Sequence, residues 1–179
     1  MAFRPKILAL ANKITLEART GIPNVPADPE YRILAEVVTD EQADVALACK
    51  VRQSLTLDEI SKRCGKPPEV TKKLLWELAN EGVIVTYTSP DDGRDYYTLP
   101  CWVPGIMEMM VGNKEQVEAH PEIARCFDEY TLKNMKLMTP NLPRGMGAEM
   151  CIRDSYSRAE GDRPQSSRSF IRSAEQIHR

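Results

Sequence analysis

Ser54 to Leu99 reads SLTLDEISKRCGKPPEVTKKLLWELANEGVIVTYTSPDDGRDYYTL, and its punctuation decides the fold. Thr56, with Glu59 three residues on, is the start signal of a short helix, LDEISKRC, whose Leu57, Ile60 and Cys64 share one face and which Gly65 stops. The turn KPP puts proline where a second helix begins. Glu69 to Glu81 then carries Val70, Leu74, Leu75 and Leu78 as its expected core stripe and ends at Gly82. VIVTYT and DYYTLP are β-branched and aromatic runs on either side of SPDDGR, whose Asp-Gly pair is a hairpin turn signal. Helix, tight turn, helix and hairpin together make a winged helix-turn-helix, with the hairpin as the wing. The expected fold class is mainly α with a small β-hairpin, a winged helix-turn-helix over residues 30–100 with flanking helices.

On the N-terminal side, Lys6 to Leu16 has the spacing of a short amphipathic helix, and Gly21 to Pro29 (GIPNVPADP) cannot continue it. Residues 1–29 are therefore an N-terminal helix and a proline-rich connector. Asp28 with Pro29 opens another helix, whose Tyr31, Ile33, Leu34, Val37 and Val38 form an apolar stripe. Thr39 and the acidic residues after it cap a helix over Ala43 to Val51. On the C-terminal side, residues 101–138 hold the methionine-rich Val103 to Val111 (VPGIMEMMV) and a helix from Pro121 to Met135. Ile123, Phe127, Tyr130 and Leu132 of that helix are the candidates for packing on the winged helix. Thr139 to Gly147 reads as a linker, and 139–179 as linker plus disordered tail.

The chain has 179 residues, 42% hydrophobic and 28% charged, and no apolar run near the roughly 20 residues of a membrane-spanning helix. A membrane-spanning, collagenous or wholly disordered chain is excluded on that ground. The net charge of −2 conceals a split. Residues 1–150 carry 18 Lys plus Arg against 22 Asp plus Glu, a net of −4, while residues 151–179 carry 6 Arg against 4 acids, a net of +2. Five cysteines, at 49, 64, 101, 126 and 151, include no C-x-x-C pair and are joined by only two histidines, so no metal site is expected in this chain. Their odd number and the lack of a signal-peptide pattern point to a reducing cytoplasm, with the cysteines as small buried apolar residues.

A winged helix invites a DNA-binding reading, which the charges argue against. From Lys66 to Glu81 three lysines meet three acids and there is no arginine, and Arg94 of the wing faces Asp91, Asp92 and Asp95. Phosphate neutralisation supplies most non-specific affinity, and arginine is the commonest base reader. The candidate contact face, for a nucleic acid or for a protein partner, is Lys72, Lys73, Trp76 and Asn80 with Arg94. A protein partner is favoured. Trp76 is large and apolar for a solvent face, and another segment of the chain is expected to cover it. Trp102 with Met107, Met109 and Met110 makes a soft apolar patch, either packing or a docking surface. No G-x-S-x-G, glycine-rich phosphate loop or H-E-x-x-H occurs, and His120 is expected to be an exposed helix-entry residue without an acid partner. No catalytic residue can be named.

The order of segments resembles the N-terminal part of a prokaryotic family of 4Fe-4S ferredoxin-type iron–sulfur oxidoreductase proteins. The likeness rests on LTLDEISKRCGKPPEVTKKLLWELANEGVI, the DGRDYYTLP hairpin, VPGIMEMMVG, EIARCFDEY and TPNLPRG, and spans roughly residues 5–150. It implies a non-catalytic module that docks on its own cluster domain or on a redox partner, with the 4Fe-4S clusters in a domain downstream of this chain. After Glu149 the run MCIRDSYSRAEGDRPQ departs from that pattern and resembles translated sequencing-adapter read-through. On that reading residues 150–179 are artefactual, the natural protein continues into the cluster domain, and Cys151 is not a ligand. The alternative is a DNA-binding regulator, redox-responsive through Cys64. A third reading is a dimerising adaptor with no redox link.

Overall fold

The computed structural model describes residues 3–138. Among them the elements run α1 (Pro5–Ala18), α2 (Pro29–Val37), α3 (Asp40–Ala48), β1 (Ser54–Thr56), α4 (Leu57–Cys64), α5 (Pro68–Asn80), β2 (Val85–Thr88), β3 (Asp95–Thr98), α6 (Ile106–Gly112), α7 (Lys114–Ala119) and α8 (Glu122–Met138). The fold is mainly helical with one small antiparallel sheet in the order β1-β3-β2. The chain divides into two units, residues 1–131 and 132–179, and the described part of the second is the end of α8. The linker and tail expected over 139–179 lie outside the described residues. No described helix is long and apolar enough to cross a membrane.

The helix signals act as local chemistry requires. Thr39 accepts from the Gln42 N–H at 3.2 Å while the Gln42 side chain accepts from the Thr39 N–H at 2.7 Å, a complete capping box. At α4 the Glu59 carboxylate accepts both the N–H and the hydroxyl of Thr56, each at 2.8 Å. Gly65 closes α4 in the left-handed region at φ 69°. α5 ends in a Schellman motif, in which Gly82 N–H donates to the Ala79 carbonyl and Val83 N–H to that of Leu78, with Gly82 at φ 79°.

Two expectations fail for reasons of packing. Helix α3 ends at Ala48 and not Val51, because Val51 turns to bridge Leu99 and the Arg52 N–H donates to the Leu99 carbonyl. Val70 is exposed, and Thr71 takes its expected inward place, fully buried with its hydroxyl on the Pro67 carbonyl at 3.1 Å. A third strand, β1, joins the hairpin, pairing Leu55 with Tyr97. Three residues with one inward side chain carry no periodicity by themselves, and β3 recruits them by its open edge.

The core runs through residues 3–131 without a break. It takes Ile7, Leu10 and Ile14 from α1, Ile33 and Leu34 from α2, Leu75 and Leu78 from α5, and Ile106, Met107 and Met110 from α6. Polar bonds tie its layers. Trp102 Nε1 donates to Thr15 Oγ1 at 2.9 Å, and Thr15 Oγ1 also accepts from Asn24 Nδ2 at 2.8 Å, which joins α1 to the connector and to the segment after β3. Arg32 of α2 pairs with Glu122 and Glu129 of α8 at 2.7 and 2.8 Å, and Arg4 pairs with Asp40 at 2.7 Å. Of the expected packing positions on α8, Ile123 and Tyr130 are buried, Phe127 is half-buried and Leu132 is exposed.

Candidate functional site

Helix α5 and the β2–β3 hairpin enclose an open groove of about 510 Å³. Glu69, Lys72, Lys73 and Trp76 line it from the helix, and Thr86, Tyr87, Thr88, Asp95 and Tyr97 from the sheet. Trp76 is 63% exposed, so the expectation that another segment covers it fails for the described residues. Tyr87 is 48% exposed and stacks on Tyr96 with ring centroids 5.6 Å apart. The charges of the groove are engaged in part: Lys73 lies 3.8 Å from Glu77, and the Asp95 carboxylate accepts the Thr88 hydroxyl at 2.8 Å. Two lysines and two acids around the groove leave no net charge.

The face expected from the sequence therefore divides. Lys72, Lys73 and Trp76 share the groove, whereas Arg94 is exposed at the hairpin turn and does not line it. Asn80, one turn beyond Trp76, opens onto a second cavity of about 390 Å³ lined by Glu36, Val37, Glu77, Glu81, Asn113, Glu115, Gln116 and His120. The apolar patch is corrected more sharply. Trp102, Met107 and Met110 are fully buried core side chains and not an accessible docking surface, while Met109 is half-buried. Methionine-rich sequence is equally suited to filling an irregular interior, and here α6 turns it inward.

The second cavity was not legible in the sequence. His120 Nδ1 lies 3.0 Å from Glu36 Oε1, 84 positions away in the chain, so His120 has an acid partner and is half-buried. Beside it, the Gln42 side-chain amide donates to Glu77 at 3.2 Å and to Glu81 at 2.9 Å. Gln116 Nε2 donates to the Glu81 carbonyl at 3.2 Å. The second Glu81 oxygen, Oε2, and Gln116 Oε1 are buried with no hydrogen-bond partner. Burial pushes the Glu81 carboxyl up to about 7, with the Glu77 charge adding to the shift and the Gln42 hydrogen bond and His120 opposing it.

A pH dependence follows. The unfolded carboxyl has its ordinary value of 4.5, so between pH 4.5 and about 7 the native state binds more protons than the unfolded one. Stability from this group is complete below pH 4.5 and is lost as pH rises through about 7. The unscreened limit is roughly 3 kcal/mol, which water at this part-buried site reduces to about 1–2 kcal/mol. Urea midpoints measured from pH 5 to pH 8 are expected to fall in the wild type and to lose that slope in Glu81→Gln. An equal slope in the variant would assign the titration to another group.

Four described cysteines are free thiols. Cys49 and Cys126 are buried, and burial pushes both thiols up to about 12, which makes them poor nucleophiles. Cys64 and Cys101 are half-buried. Among the described residues no three His, Cys, Asp or Glu side chains converge to hold a metal ion. No protein-family model matches the chain, and no curated protein matches it.

Proposed function

We propose that α3 to β3 form a winged helix-turn-helix, with α4 and α5 as the helix pair and β2–β3 as the wing, and that its α5–wing groove docks a protein partner. The element order α3-β1-α4-α5-β2-β3, with β1 completing the sheet against β3, supports the fold reading. The observation that carries the docking reading is Trp76, a large apolar side chain 63% exposed in a groove whose charges cancel. An exposed aromatic lining a concave face is a usual anchor of a protein contact, while a nucleic-acid face needs an excess of cations. The resemblance to 4Fe-4S ferredoxin-type oxidoreductases supplies the context: a non-catalytic cytoplasmic module that docks on a cluster domain or a redox partner. The clusters belong to that downstream domain. Cysteine motifs encoded in the natural gene beyond Glu149 would support this context, and a stop codon there would remove it.

The second reading, a DNA-binding regulator, is separated by titrating the full chain with mixed-sequence duplex at 50 and 200 mM salt while following Trp76 emission. No binding is expected at either salt. Binding that weakens by about three orders of magnitude or more between the two would put the regulator first.

A further inference from the structure

The hairpin leaves one strand edge open on the groove. Ser89 N–H donates to the Arg94 carbonyl at 2.9 Å, which sets Ser89 opposite Arg94 at a hydrogen-bonded position of the β2–β3 ladder. Antiparallel pairs alternate. In the observed register Tyr87–Tyr96 and Val85–Thr98 are then the bonded pairs, and Thr86 and Thr88, opposite Tyr97 and Asp95, turn their N–H and C=O groups away from β3. β2 is one of the two outer strands of the sheet, and all four of its residues are exposed. Its sequence, VTYT, has no lysine, proline or charge of the kind that guards an edge strand against pairing. The same two threonines present their side chains to the groove, opposite Trp76.

We propose that β2 accepts an extended segment of the protein partner as a fourth strand, with the segment's alternate side chains entering the groove over Trp76. The proposal deepens, and rests on, the protein-docking reading. The open backbone groups at Thr86 and Thr88 select an extended backbone, since a helix has no free amides to offer along its length. The groove selects the side chains. With Lys72 and Lys73 balanced by Glu69 and Asp95, it favours a segment without strong net charge, apolar or aromatic at every second position. A polyanion meets no excess of cations there.

The probe is a random 12-residue peptide library displayed on phage and selected on the immobilised full chain, with enriched peptides then synthesised and titrated. The expected consensus alternates apolar and polar residues with period two. Emission from Trp76 should shift to shorter wavelength on binding, and because Trp102 is already fully buried it stays silent. Thr86→Pro removes an outward N–H without touching the β3 ladder. It should weaken binding about tenfold through loss of a strand hydrogen bond and disturbance of its neighbour. Trp76→Ala should weaken it comparably while leaving the edge intact, which guards against a Thr86→Pro chain that folds poorly. A consensus with apolar residues at i, i+3, i+4 and i+7 overturns the proposal, as do peptides that bind Thr86→Pro unchanged or a selection that enriches nothing. A concentration-dependent dimer with amide protection confined to β2 assigns the edge to a second copy and also overturns it. If the selection fails and duplex is inert, only the strand proposal falls; salt-sensitive duplex binding brings down the docking reading itself.

Discussion

Trp102→Ala is expected to lower the unfolding free energy by about 3–5 kcal/mol, the range for removing a large aromatic from a core that closes only partly around the loss. Trp102 is fully buried, its ring lies 6.5 Å from that of Tyr130, and its indole N–H ends on Thr15 Oγ1. The alanine variant thus leaves a cavity and also takes one donor from Thr15, which remains buried. Against a total stability of about 5–15 kcal/mol for a domain, such a loss is large enough to populate the unfolded state at 37 °C. Urea unfolding of the full chain reads it directly. Trp102→Phe should recover most of the packing but not the hydrogen bond, and so fall between the two. If Trp102 were instead part of an exposed docking patch, Trp102→Ala would leave the urea midpoint of the isolated chain within about 0.5 kcal/mol of wild type.

Gly82→Ala is expected to cost about 2–3 kcal/mol, read by the same measurement, through two separable terms. The backbone at φ 79° lies in the left-handed region, where an L side chain costs roughly 1–2 kcal/mol. A Cβ at this position would also sit 3.1 Å from the Met109 carbonyl carbon and from the Met110 amide nitrogen, atoms of α6 backbone that cannot swing aside. Gly65 offers the contrast. It has a similar φ of 69° but nothing within 4 Å of an added Cβ, so Gly65→Ala should lose only the conformational part. A smaller loss at Gly82 than at Gly65 would mean that α6 does not pack against the end of α5 as described. Gly82 also lies between the helix that carries Trp76 and β2, both of which line the groove.

Much of the fold is written in short-range chemistry. Capping residues at Thr39 and Thr56, prolines at the start of α2 and α5, glycines after α4 and α5 and the Asp-Gly turn each act within a few residues of themselves. Their effects are therefore readable from order and spacing alone. The same holds for the balance of charge along α5, which a count of lysines and acids decides. The candidate face is legible only in part: Lys72, Lys73 and Trp76 do share a groove, but Asn80 and Arg94, which helix spacing and the wing's position put on the same face, do not line it.

What the sequence by itself determined is thus the helix boundaries near their caps, the hairpin, and the balance of charge along α5. Those depend on residues three or four apart. Tertiary structure alone decided which apolar residues go inside: Trp102 is buried with its indole N–H on Thr15 of α1 and its ring beside Tyr130 of α8, and Met107 and Met110 are buried as well, while Trp76, no less apolar, stays 63% exposed. It also decided the contacts that link distant positions, β1 with β3, His120 with Glu36, and Gln42 with Glu77 and Glu81. The physical reason is common to all of them. Burial and the pKa of a buried acid depend on which surfaces meet, and segments 35 to 84 residues apart meet only once the chain has folded.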